Sequence, residues 1–203
     1  MPEPTDQRRL RSAIRKQIRA QRRALGREQR AGADRALCRH IESFPAFRTA
    51  RRIGIFLAFD GEPDLQRVIV NAARRGKRLF VPVLRGLEMC FAELPRDGAM
   101  TRNFFGIAEP QHAEPADVRT LDLVLTPLVA FDARGGRLGV GRGYYDRCFD
   151  FLRHRNAWVR PKLLGVGYAL QEIPTVELQP WDVSLWGVVT ERGARRFIRG
   201  SQP

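Results

Sequence analysis

Lysine and cysteine are scarce in this sequence of 203 residues. Only 3 of its 36 basic residues are lysine, and the codon usage of a GC-rich genome explains such a preference for arginine without any functional cause. The three cysteines, Cys38, Cys90 and Cys148, are odd in number and far apart, which excludes a disulfide framework and a Cys-x-x-Cys metal or redox pair. We therefore expect a protein of a reducing compartment, the cytoplasm.

Long apolar runs are also missing from the sequence. No window approaches 18 consecutive apolar residues, so we expect no transmembrane helix. The arginine-rich stretch 1–30 lacks the apolar core of a secretion signal, and its acidic residues and near absence of serine are unlike a transit peptide. These absences predict a protein without membrane association.

Acidic residues are the third shortage, since 22 aspartates and glutamates stand against 36 basic residues, a formal net charge of +14. This excess indicates an anionic partner, whether nucleic acid, nucleotide, acidic metabolite or lipid surface. Residues 1–35 carry 11 basic and 4 acidic residues, hence +7. A basic helix predicted over about 6–25 has a ridge of arginines: Arg8, Arg11, Arg15, Arg19 and Arg22. Because the ridge lacks acidic partners one turn away, it is either a solvated face or an anion-binding surface.

The rest of the chain predicts an α/β fold. A second helix begins near Arg27 and ends before Pro45, and from about residue 50 short apolar runs alternate with helical segments. Strands are predicted at 53–59, 78–84, 121–127, 163–168 and 185–190, a hairpin partner at about 87–92, and helices at 63–75 and from Tyr144. The expected architecture has three layers, with a mostly parallel mixed sheet flanked by helices.

The domain organisation follows from the same pattern. The basic helix at about 6–25 precedes an α/β core at about 50–192 that carries the ligand sites, and a short C-terminal tail covers 193–203. The segment 95–120 has little periodicity, which predicts a long surface loop, and such loops in compact domains are usually functional. No repeat or linker divides the 203 residues, which we treat as a single domain.

The densest motif is the stretch 137–146, Arg-Leu-Gly-Val-Gly-Arg-Gly-Tyr-Tyr-Asp, which we call the glycine loop. Alternate glycines let backbone N–H groups approach a ligand, and a helix N-terminus follows, so we expect the loop to bind phosphate. Arg137 and Arg142 can bind phosphate oxygens, and Asp146 can hold a bridging Mg²⁺ ion. The alternative is a strand-to-helix turn whose glycines serve geometry alone. The spacing matches neither a Walker nor a Rossmann loop.

A second candidate site follows the first predicted strand, in the stretch Phe59-Asp60-Gly61-Glu62-Pro63. Ligand sites of α/β domains collect at the carboxyl ends of strands. The Glu62 carboxylate can accept a pair of hydrogen bonds from a donor-rich ring. Alternatively, it only complements the dipole at the start of the next helix.

Three stretches of the second half form a specific pattern: 122–127 (Asp-Leu-Val-Leu-Thr-Pro), 130–132 (Ala-Phe-Asp) and 137–147. They resemble the 5-formyltetrahydrofolate cyclo-ligase family, also called 5,10-methenyltetrahydrofolate synthetases, and supporting matches run from about Arg8 to Glu191. The resemblance implies a ligase of one-carbon metabolism that uses ATP and Mg²⁺ to convert 5-formyltetrahydrofolate to 5,10-methenyltetrahydrofolate, with release of ADP and phosphate. It also implies an architecture similar to sugar-phosphate isomerases and CoA transferases.

The resemblance implies roles for individual residues. The implied ATP-binding residues are Arg11, Arg15, Arg137, Leu138, Gly139, Val140, Gly141, Arg142, Gly143, Tyr144 and Tyr145. The implied folate-binding residues are Phe56, Leu57, Glu62, Met89, Phe105 and Tyr144. Arg137, Arg142 and Tyr145 are the implied catalytic residues, and Asp146 is the implied magnesium ligand. The partners would be ATP and 5-formyltetrahydrofolate, with or without a polyglutamate tail, and we expect a monomer.

Some positions depart from the usual family pattern. Arg11 stands where lysine is common, and Phe105 where tryptophan is common. Trp181 occupies a frequent histidine position and Trp186 a frequent aspartate position, which leaves Asp182 as a further candidate in that region.

Two other functions compete with the implied one. A nucleic-acid-binding module would use the arginine ridge, although no recognised nucleic-acid motif is present and aromatic residues are not interleaved with the arginines. A relative of the fold that binds another anionic metabolite would keep only the glycine loop. Steep salt dependence of binding would identify the first, and the absence of folate-dependent ATP turnover the second.

Overall fold

The structure, a computed structural model, describes residues 5–95, 98–153 and 160–197. The helices are α1 (Thr5–Arg23), α2 (Arg27–Ser43), α3 (Pro45–Thr49), α4 (Gln66–Arg74) and α5 (Tyr144–Cys148). The strands are β1 (Arg52–Gly54), β2 (Arg78–Arg85), β3 (Glu88–Glu93), β4 (Met100–Arg102), β5 (Ala108–Pro110), β6 (Pro115–Ala116), β7 (Leu123–Pro127), β8 (Ala130–Phe131), β9 (Arg137–Leu138), β10 (Lys162–Val166), β11 (Gly187–Thr190) and β12 (Gly193–Arg196). The end of the predicted tail, 198–203, lies outside the described residues.

The described strands form an eight-stranded sheet in the order β12-β11-β10-β7-β1-β2-β3-β6. The run from β11 to β2 is parallel throughout. Strand β12 at one edge and strands β3 and β6 at the other are antiparallel to their neighbours. The prediction of a mixed, mostly parallel sheet is confirmed, and so is the hairpin that joins β2 to β3.

Side chains along the buried strands alternate between two core layers. In β2, Leu79 and Val81 belong to the cluster that includes α2, α3 and α4, whereas Phe80 belongs to the cluster that includes α5. Because successive side chains of a strand point to opposite faces, a strand covered on both sides must be apolar at every position. Helices therefore cover both faces of the sheet, which confirms the predicted three-layer α/β architecture.

Helix α1 packs outside these layers, over the small strands β8 and β9. Its apolar residues Ile14 and Ile18 pack in one cluster with Val129 and Leu138, whereas Leu10 at the start of the stripe is half exposed. This packing fixes the direction in which the arginines of α1 point. No helix in the described ranges is long and apolar enough to cross a lipid bilayer.

Four predicted elements differ from the structure. The strand predicted over 53–59 stops at Gly54, because the chain then leaves the sheet to line a cleft. The helix predicted over 63–75 begins at Gln66, since residues 62–65 form no regular secondary structure. The segment 95–120 is not a plain loop, because it contains the β4–β5 hairpin and edge strand β6. Residues 193–196 of the predicted tail pair with β11 as β12.

Candidate active site

A cleft of about 900 Å³ opens at the carboxyl ends of the central parallel strands. Its floor includes Phe56 after β1, Leu84 in β2 and Leu128 after β7. Its walls are α1, the β4–β5 hairpin and the glycine loop between β9 and α5. Open α/β sheets bind their ligands at this edge, so the position agrees with the sites expected from the sequence.

The glycine loop contains two backbone conformations that glycine adopts far more easily than other residues. Gly141 has φ +95° and Gly143 has φ +64°. A Cβ atom on Gly141 would lie 3.2 Å from Cζ of Arg15, and one on Gly143 would lie 2.9 Å from Nη1 of Arg147. The glycines therefore let two arginines approach the backbone closely, which a simple strand-to-helix turn does not require.

Two arginines of α1 line the cleft and bond to its opposite wall. Arg15 Nε donates a 2.9 Å hydrogen bond to the carbonyl oxygen of Gly139. One turn earlier, Arg11 donates to the Asp182 carboxylate at 3.2 Å. Both predicted ATP-binding arginines of α1 thus line the cleft, each held by a residue from the second half of the chain.

Arg137 is buried and is engaged inside the protein. Its Nε donates to the carbonyl oxygen of Val183 at 3.2 Å, and one Nη donates to Asp146 Oδ1 at 2.6 Å. The backbone N–H of Val183 donates to the same Oδ1 at 3.1 Å. Arg137 and Asp146 therefore neutralise each other and tie the start of α5 to the chain near residue 183.

Arg142 is the exposed cation of the glycine loop. Its side chain has no hydrogen bond or ion pair within the described residues, and its guanidinium lies 5.9 Å from the centre of the Phe105 ring. Helix α5 has only five residues, so its dipole adds little to the attraction of an anion. An exposed guanidinium beside the glycines can instead bind a phosphate group through two parallel N–H bonds.

Asp146 is the candidate magnesium ligand. Its Oδ2 has no hydrogen-bond partner among the described residues, and the side chain is 19% exposed at the cleft. No group of three or more His, Cys, Asp or Glu side chains that could hold a metal occurs in the described ranges. A single carboxylate oxygen fits a Mg²⁺ ion that arrives with a nucleotide, because phosphate oxygens and water then supply the other ligands.

Glu62 and Tyr145 supply polar groups to the other part of the cleft. Desolvation raises the pKa of Glu62 to about 7, although the charge of Arg22 and a 3.1 Å hydrogen bond from the Phe59 N–H act in the opposite direction. The Tyr145 hydroxyl is buried without a partner among the described residues, and burial together with the charge of Glu62 raises its pKa. Buried hydroxyls usually have a partner, so this one is free to bind a ligand.

Apolar side chains share the part of the cleft that contains these polar groups. Phe56, Leu57, Met89 and Phe105 line this part of the cleft. Tyr144 joins them and donates a 3.2 Å hydrogen bond from its hydroxyl to a carbonyl of the β2–β3 turn. An apolar slot with a carboxylate fits a flat ring that carries N–H donors. All the predicted folate-binding residues thus lie in one cleft.

The arginine ridge of α1 does not form a uniform anion-binding surface. Asp60 accepts hydrogen bonds from Arg19, Arg22 and Arg23, which lie 37 to 41 positions away in the sequence. Arg22 is only 1% exposed, and Asp60 has φ +53°, an uncommon conformation for a residue with a Cβ atom. These arginines therefore hold the turn that precedes Glu62, a role that the ridge pattern did not predict.

Leu138 is the predicted site residue whose side chain lies elsewhere. It is 1% exposed and packs in the core beneath α1. The sequence reasoning missed several residues that line the cleft, among them Asn103, Ile107, Glu109, Arg147 and Asp150. Arg147 directly follows the glycine loop and could have been found there, whereas Asn103 and Glu109 lie in the segment predicted to be a loop.

The cleft joins two subsites of different chemistry. One contains glycines with positive φ and exposed or cleft-facing arginines, which suits phosphate groups. The other is apolar and contains a carboxylate, which suits a flat ring with N–H donors. This combination of fold and cleft is typical of α/β enzymes that bring a phosphate-bearing ligand against a second, ring-containing substrate.

Comparison with known proteins narrows this class. A model of the 5-formyltetrahydrofolate cyclo-ligase family matches residues 7–191. The chain is 35% identical over 184 residues to the 5-formyltetrahydrofolate cyclo-ligase of Escherichia coli K12, which covers 85% of this chain and 96% of the relative. The Haemophilus influenzae enzyme of the same name is 32% identical over 186 residues, 88% of this chain and 96% of the relative.

A solved structure shows the same fold. The 5,10-methenyltetrahydrofolate synthetase of Aquifex aeolicus superposes with a TM-score of 0.81 at 28% sequence identity, and the match covers 96% of both chains. The chain therefore belongs to the 5-formyltetrahydrofolate cyclo-ligase family.

Proposed function

We propose that this protein catalyses the ATP-dependent cyclisation of 5-formyltetrahydrofolate to 5,10-methenyltetrahydrofolate, with release of ADP and phosphate. Membership of the family supports the substrate and the product. The position of Arg142 over Phe105 carries the proposal, because it brings the glycine loop within reach of the apolar slot. A phosphate donor and a folate could therefore meet at this contact.

The chemistry needs two substrates held in the correct order. The N5-formyl group is amide-like and a poor electrophile, so its oxygen takes the γ-phosphoryl group of ATP and ADP leaves. N10 then attacks the activated carbon and loses its proton, and phosphate leaves as the five-membered ring closes. Positioning and stabilisation of charge on the phosphoryl group would supply most of the rate acceleration.

The cleft residues divide these tasks. Arg11, Arg15 and the glycine loop would bind the phosphates of ATP, with Arg142 at the transferring group, because these cations line one part of the cleft. Glu62 would accept hydrogen bonds from the N–H donors of the reduced pterin ring. The unpartnered hydroxyl of Tyr145 would donate to the formyl or phosphoryl oxygen, where negative charge develops.

Asp146 would hold a Mg²⁺ ion through its Oδ2 oxygen, while Oδ1 stays bonded to Arg137. When it is bound, such an ion neutralises phosphate charge and favours departure of the nucleoside diphosphate. Arg137 would then act mainly by orienting Asp146 and the start of α5. The proposal includes a monomer in the cytoplasm that accepts folates with or without a polyglutamate tail, and the free cysteines fit a reducing compartment.

The experiment that tests the proposal is formation of 5,10-methenyltetrahydrofolate by the purified protein. Product should require ATP, Mg²⁺ and 5-formyltetrahydrofolate together, and omission of any one should abolish it. Folded protein that forms no product with all three present would refute the proposal. ATP hydrolysis that does not depend on folate would instead favour a relative of the fold with another substrate.

Two substitutions test the assignment of the subsites. Arg142→Ala should weaken ATP binding about 10- to 100-fold and folate binding much less, since it removes a charged hydrogen bond to phosphate. Glu62→Gln should do the reverse. Arg67→Ala, at an exposed position of α4, is the matched arginine control. Equal losses of ATP and folate affinity in both variants would show that the subsites are misplaced.

A further inference from the structure

We propose that Asn103 and Glu109 are positioning residues that fix Phe105 in the cleft and so align folate with the glycine loop. The inference rests on the proposed function, because it assigns Phe105 to the folate subsite. Both residues line the cleft, and both belong to the hairpin that joins β4 to β5. Four successive contacts connect strand β2 with Arg142 through this hairpin.

The first contact anchors the hairpin to the sheet. Glu109 is 6% exposed, and its Oε1 accepts a 3.0 Å hydrogen bond from the backbone N–H of Leu84 in β2. Strand β1 ends at Gly54, opposite Phe80, so it does not extend along β2 as far as Leu84. The Glu109 side chain therefore takes the place of a neighbouring strand at this end of the sheet.

Glu109 bonds only to neutral donors within the described residues. Its Oε1 accepts a second hydrogen bond, at 2.6 Å, from the side-chain amide of Asn103, and no ion pair within the described ranges includes Glu109. Burial of a carboxylate without a cation costs free energy. What the arrangement achieves is a fixed position for Asn103.

Asn103 in turn builds the loop that carries Phe105. Its Oδ1 accepts hydrogen bonds from the backbone N–H groups of Phe105 at 2.9 Å and Ile107 at 3.1 Å. The backbone N–H of Asn103 donates to the Ile107 carbonyl at 2.9 Å, and the Gly106 N–H donates to the backbone carbonyl of Asn103 at 2.8 Å. The Asn103 side chain therefore bonds both to backbone groups of its own loop and to Glu109, and these bonds hold the loop in a single conformation.

The loop conformation decides which of two adjacent phenylalanines enters the cleft. Phe105 lines the cleft beneath Arg142, whereas Phe104 is 95% exposed. The two rings are perpendicular, with centroids 5.5 Å apart. A small rotation of the loop would move Phe105 away from both the slot and Arg142, so the anchor controls the contact that joins the two subsites.

Amide hydrogen exchange tests the anchor without reference to activity. Glu109→Ala removes the carboxylate that accepts from Asn103 and Leu84. The loop should then open more often, because loss of a buried hydrogen bond lowers the free energy of local opening, and the Phe105 and Ile107 amides should exchange at least tenfold faster than in the wild type. Glu109→Gln keeps an oxygen for Leu84 and Asn103, so exchange should stay close to that of the wild type. Unchanged exchange in a folded Glu109→Ala variant would overturn the inference.

Ligand binding tests the consequence. Glu109→Ala and Asn103→Ala should each raise the Kd and KM for 5-formyltetrahydrofolate by about 10- to 100-fold, as misalignment of a substrate does, while the Kd for ATP changes less than about threefold. Glu109→Gln should restore folate affinity, and Phe104→Ala, on the same loop but outside the cleft, should resemble the wild type. If Glu109→Ala fails to fold, Asn103→Ala carries the test.

Two results would overturn the positioning role. If Glu109→Gln lost as much folate affinity as Glu109→Ala, the charge itself would contact the ligand. If ATP and folate affinity fell in parallel, the substitutions would disturb the whole cleft. Failure of the proposed function would give a different result, because the wild type would then not bind 5-formyltetrahydrofolate. The exchange experiment would still test whether Glu109 holds the loop in place.

Discussion

Replacement of Glu62 by glutamine should stabilise the folded protein at neutral and alkaline pH. Desolvation raises the pKa of this carboxyl to about 7 from its ordinary value of 4.5. This difference corresponds to a penalty of about 3 kcal/mol for the ionised form in the folded state. Because the folded protein holds the proton more tightly, the contribution of Glu62 to the stability of the wild type should fall as pH rises from about 4.5 to about 7 and then level off.

Urea unfolding of the wild type and Glu62→Gln at pH 5 and pH 8 measures this penalty. The variant cannot ionise, so its advantage over the wild type should grow by roughly 2 to 3 kcal/mol between the two pH values. Glu88→Gln, at an exposed position, should show no such growth. A difference between wild type and Glu62→Gln that stays constant with pH would refute the reasoning.

Folate affinity should change with pH in the opposite direction. The ionised carboxylate accepts hydrogen bonds better than the protonated form, so wild-type affinity for 5-formyltetrahydrofolate should rise as pH passes through about 7. Glu62→Gln should bind folate weakly at every pH. The same group would then lower stability and increase affinity, which titration calorimetry across this pH range can establish.

Three further predictions concern the loop, the orphan hydroxyl and the arginine cluster. Gly141→Ala should lower ATP affinity at least tenfold, because Gly141 has a positive φ that alanine adopts only with strain. Gly139→Ala, whose Cβ would meet no atom closer than 3.9 Å, should change ATP affinity little. Similar losses of ATP affinity in both variants would contradict this prediction. Tyr145→Phe should unfold at the same urea concentration as the wild type or a higher one, yet turn over more slowly, since the lost hydroxyl has no partner in the described structure. Asp60→Ala should cost about 3 to 5 kcal/mol in urea unfolding, because it removes the carboxylate that forms an ion pair with the buried Arg22. A loss smaller than about 1 kcal/mol would argue against this.

Local patterns were sufficient for the sheet and for the glycine loop. The apolar run of β7 predicts a strand buried on both faces, and the alternate glycines near Arg142 predict a close approach to the backbone. Both features depend on neighbouring residues alone, so they can be read from a short window. The cleft then follows from the rule that carboxyl ends of parallel strands lie together.

Features that depend on distant partners could not be predicted in this way. The pattern of α1 makes Arg15 and Arg22 equivalent, and only the fold shows that Arg22 is buried against Asp60 while Arg15 lines the cleft. The β4–β5 hairpin lacks the apolar alternation of a strand, because a hydrogen bond from Leu84 to Glu109 holds it in place. Side-chain anchors of this kind leave no periodic signal in the sequence.

The walls of the cleft come from opposite ends of the chain. Arg11 bonds to Asp182 across 171 positions, and Arg15 bonds to Gly139 across 124. A growing polypeptide therefore has no complete cleft until residue 182 has left the ribosome. Ligands that bind only the finished fold will stabilise complete molecules and give nothing to truncated ones. In a cell, a ligand bound in this cleft would therefore protect complete chains from proteolysis, whereas truncated chains would not gain this protection.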